Sequence, residues 1–232
     1  MNEPKTDIEK YTCYNGPIGN TDKHTHIKVK IGVSGAAETG HCGRDALEKA
    51  KALGSEIVRQ GGILVTGATT GFPFWSSIGA KEASGIVIGL SPAKDEREHI
   101  EQYKLPLDYN DLIVYTGFGF PGRDLLFTRS CDAVLIGCGR IGTLHEFTIA
   151  FEDQKPIGIL EGEWTMDEQI RDIIAKGNRP ADNVIFDPDP KRLVERIIEM
   201  IEKTKYNESP ESAAEPDPVP DISPDSVPAE AV

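Results

Sequence analysis

Short runs of apolar, mostly β-branched residues alternate along the chain with longer segments in which apolar positions recur every three or four residues. Runs of the first kind are typical of strands, and segments of the second kind are typical of helices. The pattern predicts strands at 27–33, 63–67, 86–90, 111–117, 132–137, 156–160 and 183–187. It predicts helices at 43–61, 76–84, 122–130, 143–153, 165–177 and 189–205.

The predicted strands are mostly apolar rather than alternating, which indicates a sheet covered on both faces. Strands that alternate with helices predict a doubly wound, mostly parallel α/β sheet of about seven strands flanked by helices, a Rossmann-like fold. All turns from strand to helix then lie at one edge of the sheet, where ligands bind. Four such turns are predicted, at 34–43, 66–75, 116–124 and 137–146.

The length of 232 residues favours one domain with two tails. We expect a flexible N-terminal arm at 1–26, a single Rossmann-like domain at 27–206 and a disordered acidic tail at 207–232. The tail holds seven acids, six prolines and no Lys or Arg, so it buries too little apolar surface to offset its chain entropy. Seven of the 13 net negative charges therefore lie in the tail.

The bulk composition excludes several classes of protein. A negative net charge argues against nucleic acid as a partner. No stretch approaches the roughly 18 consecutive apolar residues of a membrane helix, and the N-terminus does not resemble a signal peptide. We therefore expect a cytoplasmic protein that binds neither nucleic acid nor a membrane.

Four cysteines are scattered along the chain without a CxxC pair: Cys13, Cys42, Cys131 and Cys138. This spacing suggests neither a zinc site nor a disulfide framework, and no metal site is predicted. A reducing compartment is the simplest setting for such a chain.

The four turns are rich in glycine, threonine and serine, which lets backbone N–H groups approach a ligand closely. The N-terminus of the helix behind each turn adds partial positive charge. Together they predict a crevice for a nucleotide or a sugar phosphate. The P-loop pattern GxxxxGK[ST] does not occur, which disfavours P-loop chemistry.

Two charged residues in these turns each allow two interpretations. Glu146 either completes a capping box with Thr143 or directs its carboxylate toward the turn. Arg123 is predicted at a helix start, where a cation opposes the dipole, so it has either an anionic partner or a solvent-exposed side chain. His145 points about 100° away from Glu146 around a helix and need not share its site. Cys138 is either a reactive thiol or a small buried residue.

The stretch GRDLLFTRSCDAVLIGCGRIGTLHEFTIAFEDQKPIGIL at 122–160 resembles the signature of the Lonely Guy (LOG) family, long labelled lysine decarboxylases, and of the wider SLOG superfamily. The upstream segments GVSGAAETG and VTGATTGFPFWSSIGAKEASGIVIGLSP are also similar, so the resemblance covers roughly residues 27–200. It implies that Arg123 and Glu146 are catalytic. It also implies phosphate or nucleotide binding by Ser34, Gly35, Gly67, Thr70, Gly71, Arg129, Gly139, Arg140, Ile141, Gly142 and Thr143.

The chain departs from the family pattern inside this signature. Cys138 stands where the motif has proline, and Arg140 stands at its second glycine. The Arg140 side chain either adds a charge-assisted bond to a ligand or fills the space of the phosphate.

The resemblance implies a protein that binds a nucleoside 5′-monophosphate, with cleavage of the N-glycosidic bond to free base and ribose 5-phosphate as one reading. The alternative is a non-catalytic carrier or sensor of a nucleotide or a pterin phosphate such as the molybdenum cofactor. Neither reading requires a cofactor. Pyridoxal chemistry is rejected because none of the four turns contains a lysine. The resemblance also implies a homodimer or a higher homo-oligomer.

Overall fold

The computed structural model describes residues 27–207, so the expected arm at 1–26 and residues 208–232 of the expected tail lie outside the described residues. The strands are β1 (Lys30–Ser34), β2 (Ile63–Thr66), β3 (Val87–Ser91), β4 (Leu112–Tyr115), β5 (Ala133–Ile136), β6 (Ile157–Leu160) and β7 (Val184–Asp187). The helices are α1 (Ala46–Arg59), α2 (Phe72–Glu82), α3 (Glu96–Glu101), α4 (Gly119–Ser130), α5 (Ile141–Glu152), α6 (Met166–Gly177) and α7 (Pro190–Asn207).

The seven strands form one sheet in the order β4-β3-β2-β1-β5-β6-β7, and every pairing is parallel. The chain builds outward from β1 to β4, then crosses back to place β5 on the other side of β1. This confirms the predicted Rossmann-like fold. The direction of winding reverses between β1 and β5, where Ser34 is paired with Ile136, and ligands of open parallel sheets bind at such a point.

The core lies on both faces of the central strands. Strands β5 and β6 are buried along their whole length, and three aromatic rings, Phe72, Phe127 and Phe147, are among the largest fully buried side chains. The edge strand β4 is different, because Leu112 and Val114 are exposed there. Coverage on both faces therefore holds in the centre of the sheet and not at this edge. No helix within residues 27–207 is long and apolar enough to cross a bilayer.

Three helices differ from the sequence prediction. Helices α2 and α4 begin about one turn earlier than predicted, with Pro73 and Pro121 in their first turns. Proline fits there because the N–H that it lacks would have no intrahelical partner. Helix α3 was not predicted, since six residues are too few to show a periodic pattern. It begins where the Asp95 side chain accepts a hydrogen bond from the Glu98 N–H.

The expectation that the cysteines form no disulfide is wrong for one pair. Cys42 and Cys138 are joined by a disulfide although 96 residues separate them in the chain. Cys42 lies in the β1–α1 loop (residues 35–45) and Cys138 in the β5–α5 turn (residues 137–140). The neighbouring positions of β1 and β5 bring these segments together, and the spacing of cysteines along the sequence carries no sign of it. Cys131, at the end of α4, is free and buried.

Candidate functional site

A cavity of about 200 Å³ opens at the carboxyl ends of β1 and β5. Its walls are formed by the β1–α1 loop, the turn after β2, the first two turns of α4 and the start of α5. The lining residues are Val33, Ser34, Gly35, Ala36, Ala37, Gly67, Thr69, Pro73, Phe120, Arg123, Asp124, Arg140, Gly142, Thr143 and Glu146. The fold thus places the cavity at the point where the direction of winding reverses.

The N-terminus of α5 forms one wall of the cavity. Residue Arg140 precedes the helix, and its side chain does not cap it. The first N–H groups of a helix have no intrahelical partner, and the helix dipole makes this end partially positive. Gly142 and Thr143, in the first turn, both line the cavity. The arrangement suits an anion.

Arg123 supplies a second positive group. Its side chain is buried, with Nε 3.2 Å from Asp124 Oδ1 and Nη1 3.7 Å from Glu146 Oε1. These are ion pairs without hydrogen-bond alignment: Nε is a buried donor without a hydrogen-bond partner within the described part of the chain. The guanidinium lies against Gly67, where a Cβ atom would fall 1.5 Å from Nη1. Arg123 therefore adds a cationic group to the cavity lining.

The position of Arg123 differs from the prediction. It is the fifth residue of α4 rather than a residue at the helix start, because the helix already begins at Gly119. Of the two interpretations of this residue, the structure shows the one with anionic partners, since the side chain is only 7% exposed. The guanidinium also lies 5.7 Å from the centre of the Phe120 ring.

Glu146 directs its carboxylate into the cavity and forms no capping box with Thr143. Because α5 begins at Ile141, Glu146 falls in the second turn, beyond the unpaired N–H groups. Its Oε2 accepts a short hydrogen bond from the Ser34 hydroxyl. Burial raises the pKa of Glu146 to about 7, because desolvation disfavours the charged carboxylate; Arg123 opposes this shift and Asp124 adds to it.

Asp124 is a cavity residue that sequence reasoning missed. It is buried beside Arg123, and its Oδ2 lies 2.9 Å from Nδ1 of His145. His145 is half exposed and is not in the cavity lining, as its position on the helix predicts. It nevertheless contacts the site through Asp124. Only the adjacency of Asp124 to Arg123 in the sequence could have pointed to it.

Arg140 reaches from the β5–α5 turn to the β1–α1 loop. Its Nη2 donates a hydrogen bond of 3.0 Å to Glu38 Oε2 in the β1–α1 loop, and both side chains are more than half exposed. The guanidinium of this lining residue is therefore held by an exposed carboxylate of the β1–α1 loop.

The structure brings together eight of the thirteen predicted residues in the cavity lining: Ser34, Gly35, Gly67, Arg123, Arg140, Gly142, Thr143 and Glu146. The other five lie outside it: Thr70, Gly71, Arg129, Gly139 and Ile141.

Arg129 lies furthest from its expected role. Its exposed guanidinium donates two hydrogen bonds to Asp153, 2.9 and 3.1 Å long, at the far end of α4. Thr70 donates to the Ala37 carbonyl instead of facing the cavity. Gly71 precedes α2 with a φ of +69°, a conformation that favours glycine.

Two residues of the β5–α5 segment lie just beyond the cavity. The Gly139 carbonyl is 3.3 Å from Nε2 of His41, and a Cβ atom at Gly139 would overlap Thr143. Ile141 begins α5 with its side chain 80% exposed. Both residues shape the turn, while the lining is formed by their neighbours. Phe120 and Thr69 take part in the lining and were not predicted, although both lie in predicted strand-to-helix turns.

Solved structures of similar fold include two that bear on this site. A molybdenum cofactor binding protein from Rippkaea orientalis is 30% identical, with a TM-score of 0.62 over 75% of this chain and 98% of that chain. The molybdenum cofactor carrier protein from Chlamydomonas reinhardtii is 26% identical, with a TM-score of 0.60 over 75% of this chain and 99% of that chain.

Comparison of sequences gives the family. An uncharacterized protein of Archaeoglobus fulgidus is 29% identical over 133 residues, which is 57% of this chain and 80% of that protein. The model of the SLOG cluster4 family matches residues 28–194, which include every cavity residue. The suspected relation to the SLOG superfamily is thereby confirmed, and the chain belongs to the SLOG cluster4 family.

Proposed function

We propose that this protein binds a phosphorylated small molecule of the nucleotide or pterin type and carries it without converting it. The observation that carries the proposal is the buried Arg123 guanidinium, which lines the cavity together with the uncapped N-terminus of α5. A phosphate there accepts hydrogen bonds from the backbone N–H groups of Gly142 and Thr143 and from Arg123. Charge-assisted bonds of this kind are among the strongest that proteins form.

The remainder of the ligand lies at the mouth of the cavity. A volume of about 200 Å³ is below the roughly 300–1,000 Å³ of typical small-molecule sites, so it holds the phosphate end of the ligand. Phe120 lines the cavity and is 47% exposed, and its ring is held edge-on by Tyr103 at 5.3 Å. A purine or pterin ring would stack on the open face of Phe120.

The relatives favour a pterin phosphate as the ligand. The proteins from Rippkaea orientalis and Chlamydomonas reinhardtii are described as a binder and a carrier of the molybdenum cofactor, and the match covers nearly all of each chain. We take the molybdenum cofactor, as cargo, to be the first ligand to test.

The position of Glu146 favours a second candidate function, hydrolysis of a nucleoside monophosphate. Hydrolysis of the N-glycosidic bond of a nucleoside monophosphate passes through a sugar with oxocarbenium character, which a buried carboxylate stabilises. The Glu146 carboxylate, oriented by Ser34 and Arg123, could take that role and position the attacking water. Arg123 would hold the phosphate or the leaving base.

Calorimetric titration tests the binding proposal. Purified protein is titrated with AMP, GMP and the molybdenum cofactor, and Arg123→Gln is compared with Arg129→Gln as the matched control. We expect at least one ligand to bind, Arg123→Gln to weaken that binding at least tenfold, and Arg129→Gln to bind as the wild type does. No binding of any ligand, or equal weakening by both variants, would contradict the proposal.

Product analysis separates carrier from enzyme. The protein is incubated with AMP and GMP, and free base is measured by chromatography, with Glu146→Gln alongside. A carrier leaves every nucleotide intact. Release of base by the wild type and not by Glu146→Gln would establish hydrolysis and overturn the carrier reading.

A further inference from the structure

Three side chains of types that bind metals lie together where the β1–α1 loop meets the β5–α5 turn. His41 and Cys42 come from the β1–α1 loop, and Cys138 comes from the turn itself. His41 Nε2 is 3.6 Å from Cys138 Sγ and 4.0 Å from Cys42 Sγ. We propose that, once the Cys42–Cys138 disulfide is reduced, these three side chains bind one Zn²⁺ ion.

The spacing of the donor atoms fits zinc. Zn–S bonds of about 2.3 Å and Zn–N bonds of about 2.0–2.1 Å in a tetrahedral site place sulfur and nitrogen roughly 3.5 Å apart. The observed S···N distances of 3.6 and 4.0 Å are within about 0.5 Å of that value. The larger change is the separation of the two sulfurs, from a bonded pair to about 3.8 Å by the same geometry.

The chemistry of the donors also fits. Two thiolates and one imidazole are a usual donor set for zinc and a poor one for Mg²⁺ or Ca²⁺. No fourth His, Cys, Asp or Glu of the described chain joins the group, so water fills the remaining position. The Gly139 carbonyl, 3.3 Å from Nε2 in the disulfide form, is placed to accept a hydrogen bond from that water.

Conversion of the disulfide form to the zinc-bound form requires a reductant and then a metal ion. A thiol reductant such as glutathione supplies two electrons, the S–S bond breaks, and each sulfur takes a proton while the reductant becomes a disulfide. Zinc then displaces one proton from each thiol, and its oxidation state does not change. In zinc binding Nε2 of His41 is unprotonated, and the ring proton lies on Nδ1.

The site would preserve the link between the two loops that border the cavity. The disulfide joins the β1–α1 loop to the β5–α5 turn in the oxidised form. Zinc would join the same two segments in a reducing compartment, where disulfides do not persist. The sequence gives no sign of this site because Cys138 lies 96 positions from Cys42 and the three ligands form no motif.

Cobalt substitution tests the proposal. The protein is reduced with a phosphine and titrated with Co²⁺, and absorption from thiolate-to-cobalt charge transfer is recorded, followed by displacement with Zn²⁺. We expect one Co²⁺ per chain in the reduced wild type. Cys42→Ser and Cys138→Ser should lose the charge-transfer band, while Cys131→Ser, a buried cysteine elsewhere, should keep it. The oxidised protein should show no band.

If the cysteine variants fail to fold, His41→Ala still tests whether the three side chains bind a metal ion. His41 is exposed, so this variant should keep the wild-type circular dichroism. We expect it to bind Co²⁺ at least tenfold more weakly. Unchanged binding by folded His41→Ala, or no charge-transfer band in the reduced wild type, would overturn the proposal. Neither result depends on whether the cavity binds a nucleotide or a pterin.

Discussion

The Arg123 guanidinium lies 3.7 Å from the Glu146 carboxylate, although the two side chains come from different helices. Helix α4 connects the edge strand β4 to β5, helix α5 follows β5, and each helix directs one charged side chain into the cavity. Ser34, at the end of β1, completes the arrangement by its hydrogen bond to Glu146. The pairing gives the site a cation for an anionic ligand and a carboxyl group whose charge depends on pH.

The stability of the protein should depend on the ionisation of Glu146. Its pKa is raised from 4.5 to about 7 in the folded chain, so between these values the folded state holds a proton that the unfolded state has lost. This contribution is fully present below pH 4.5 and is lost as the pH rises through about 7. A shift of this size corresponds to roughly 3 kcal/mol. In Glu146→Gln, the free energy of unfolding measured with urea should not show this decrease as the pH rises.

The exposed Glu168→Gln is the matched control for that experiment, and its pH profile should follow the wild type. If the free energy of unfolding decreases with pH equally in Glu146→Gln and in the wild type, a group other than Glu146 causes the pH dependence.

Replacement of Asp124 by asparagine should lower the pKa of Glu146. The negative charge of Asp124 disfavours ionisation of the Glu146 carboxyl. The loss of stability with rising pH should therefore begin at a lower pH in Asp124→Asn. Carboxyl ¹³C chemical shifts of Glu146 measure this directly, and a raised pKa would contradict the assignment.

Gly67→Ala should displace Arg123. A methyl group at this position would lie 1.5 Å from Nη1, so the guanidinium has to move out of its place in the cavity. We expect ligand affinity to fall at least tenfold and the free energy of unfolding to fall by about 1–3 kcal/mol, as in other overpacked sites. Gly40→Ala, where a Cβ atom meets nothing within 4 Å, should change neither quantity.

The Arg140–Glu38 pair should compete with the ligand. Both side chains are exposed, so Glu38→Gln should change stability by less than about 1 kcal/mol. Release of Arg140 should make it available to the phosphate and strengthen binding severalfold, while Arg140→Gln should weaken binding. Calorimetry on the two variants measures both effects. Weaker binding by Glu38→Gln would indicate that Glu38 itself contacts the ligand.

Phe120→Ala should weaken binding through the ring of the ligand and leave the phosphate contacts in place. Base–aromatic stacking is worth about 1–3 kcal/mol, which corresponds to a loss of roughly 5- to 150-fold. Phe118→Ala removes a ring that is 70% exposed and not part of the cavity lining, so it should bind as the wild type does. Inorganic phosphate should bind all three proteins equally.

The kind of fold can be predicted from the sequence alone. Alternation of apolar strands with amphipathic helices is a local property, and the structure confirms all seven strands within a few residues. The strand-to-helix turns then had to lie at one edge, and eight predicted residues do line one cavity there. The homodimer that the LOG resemblance implies stays a prediction, which light scattering would test.

The contacts between distant side chains, in contrast, are visible only in the folded protein. The order of the strands puts β1 beside β5, and this adjacency joins Cys42 to Cys138 and Ser34 to Glu146. The start of α4 at Gly119 turns Arg123 inward, while Arg129 reaches Asp153 instead. Each of these contacts links residues far apart in the chain or depends on where a helix begins. A local hydrophobic pattern contains neither kind of information, because contact in space is set by the packing of whole elements on the sheet.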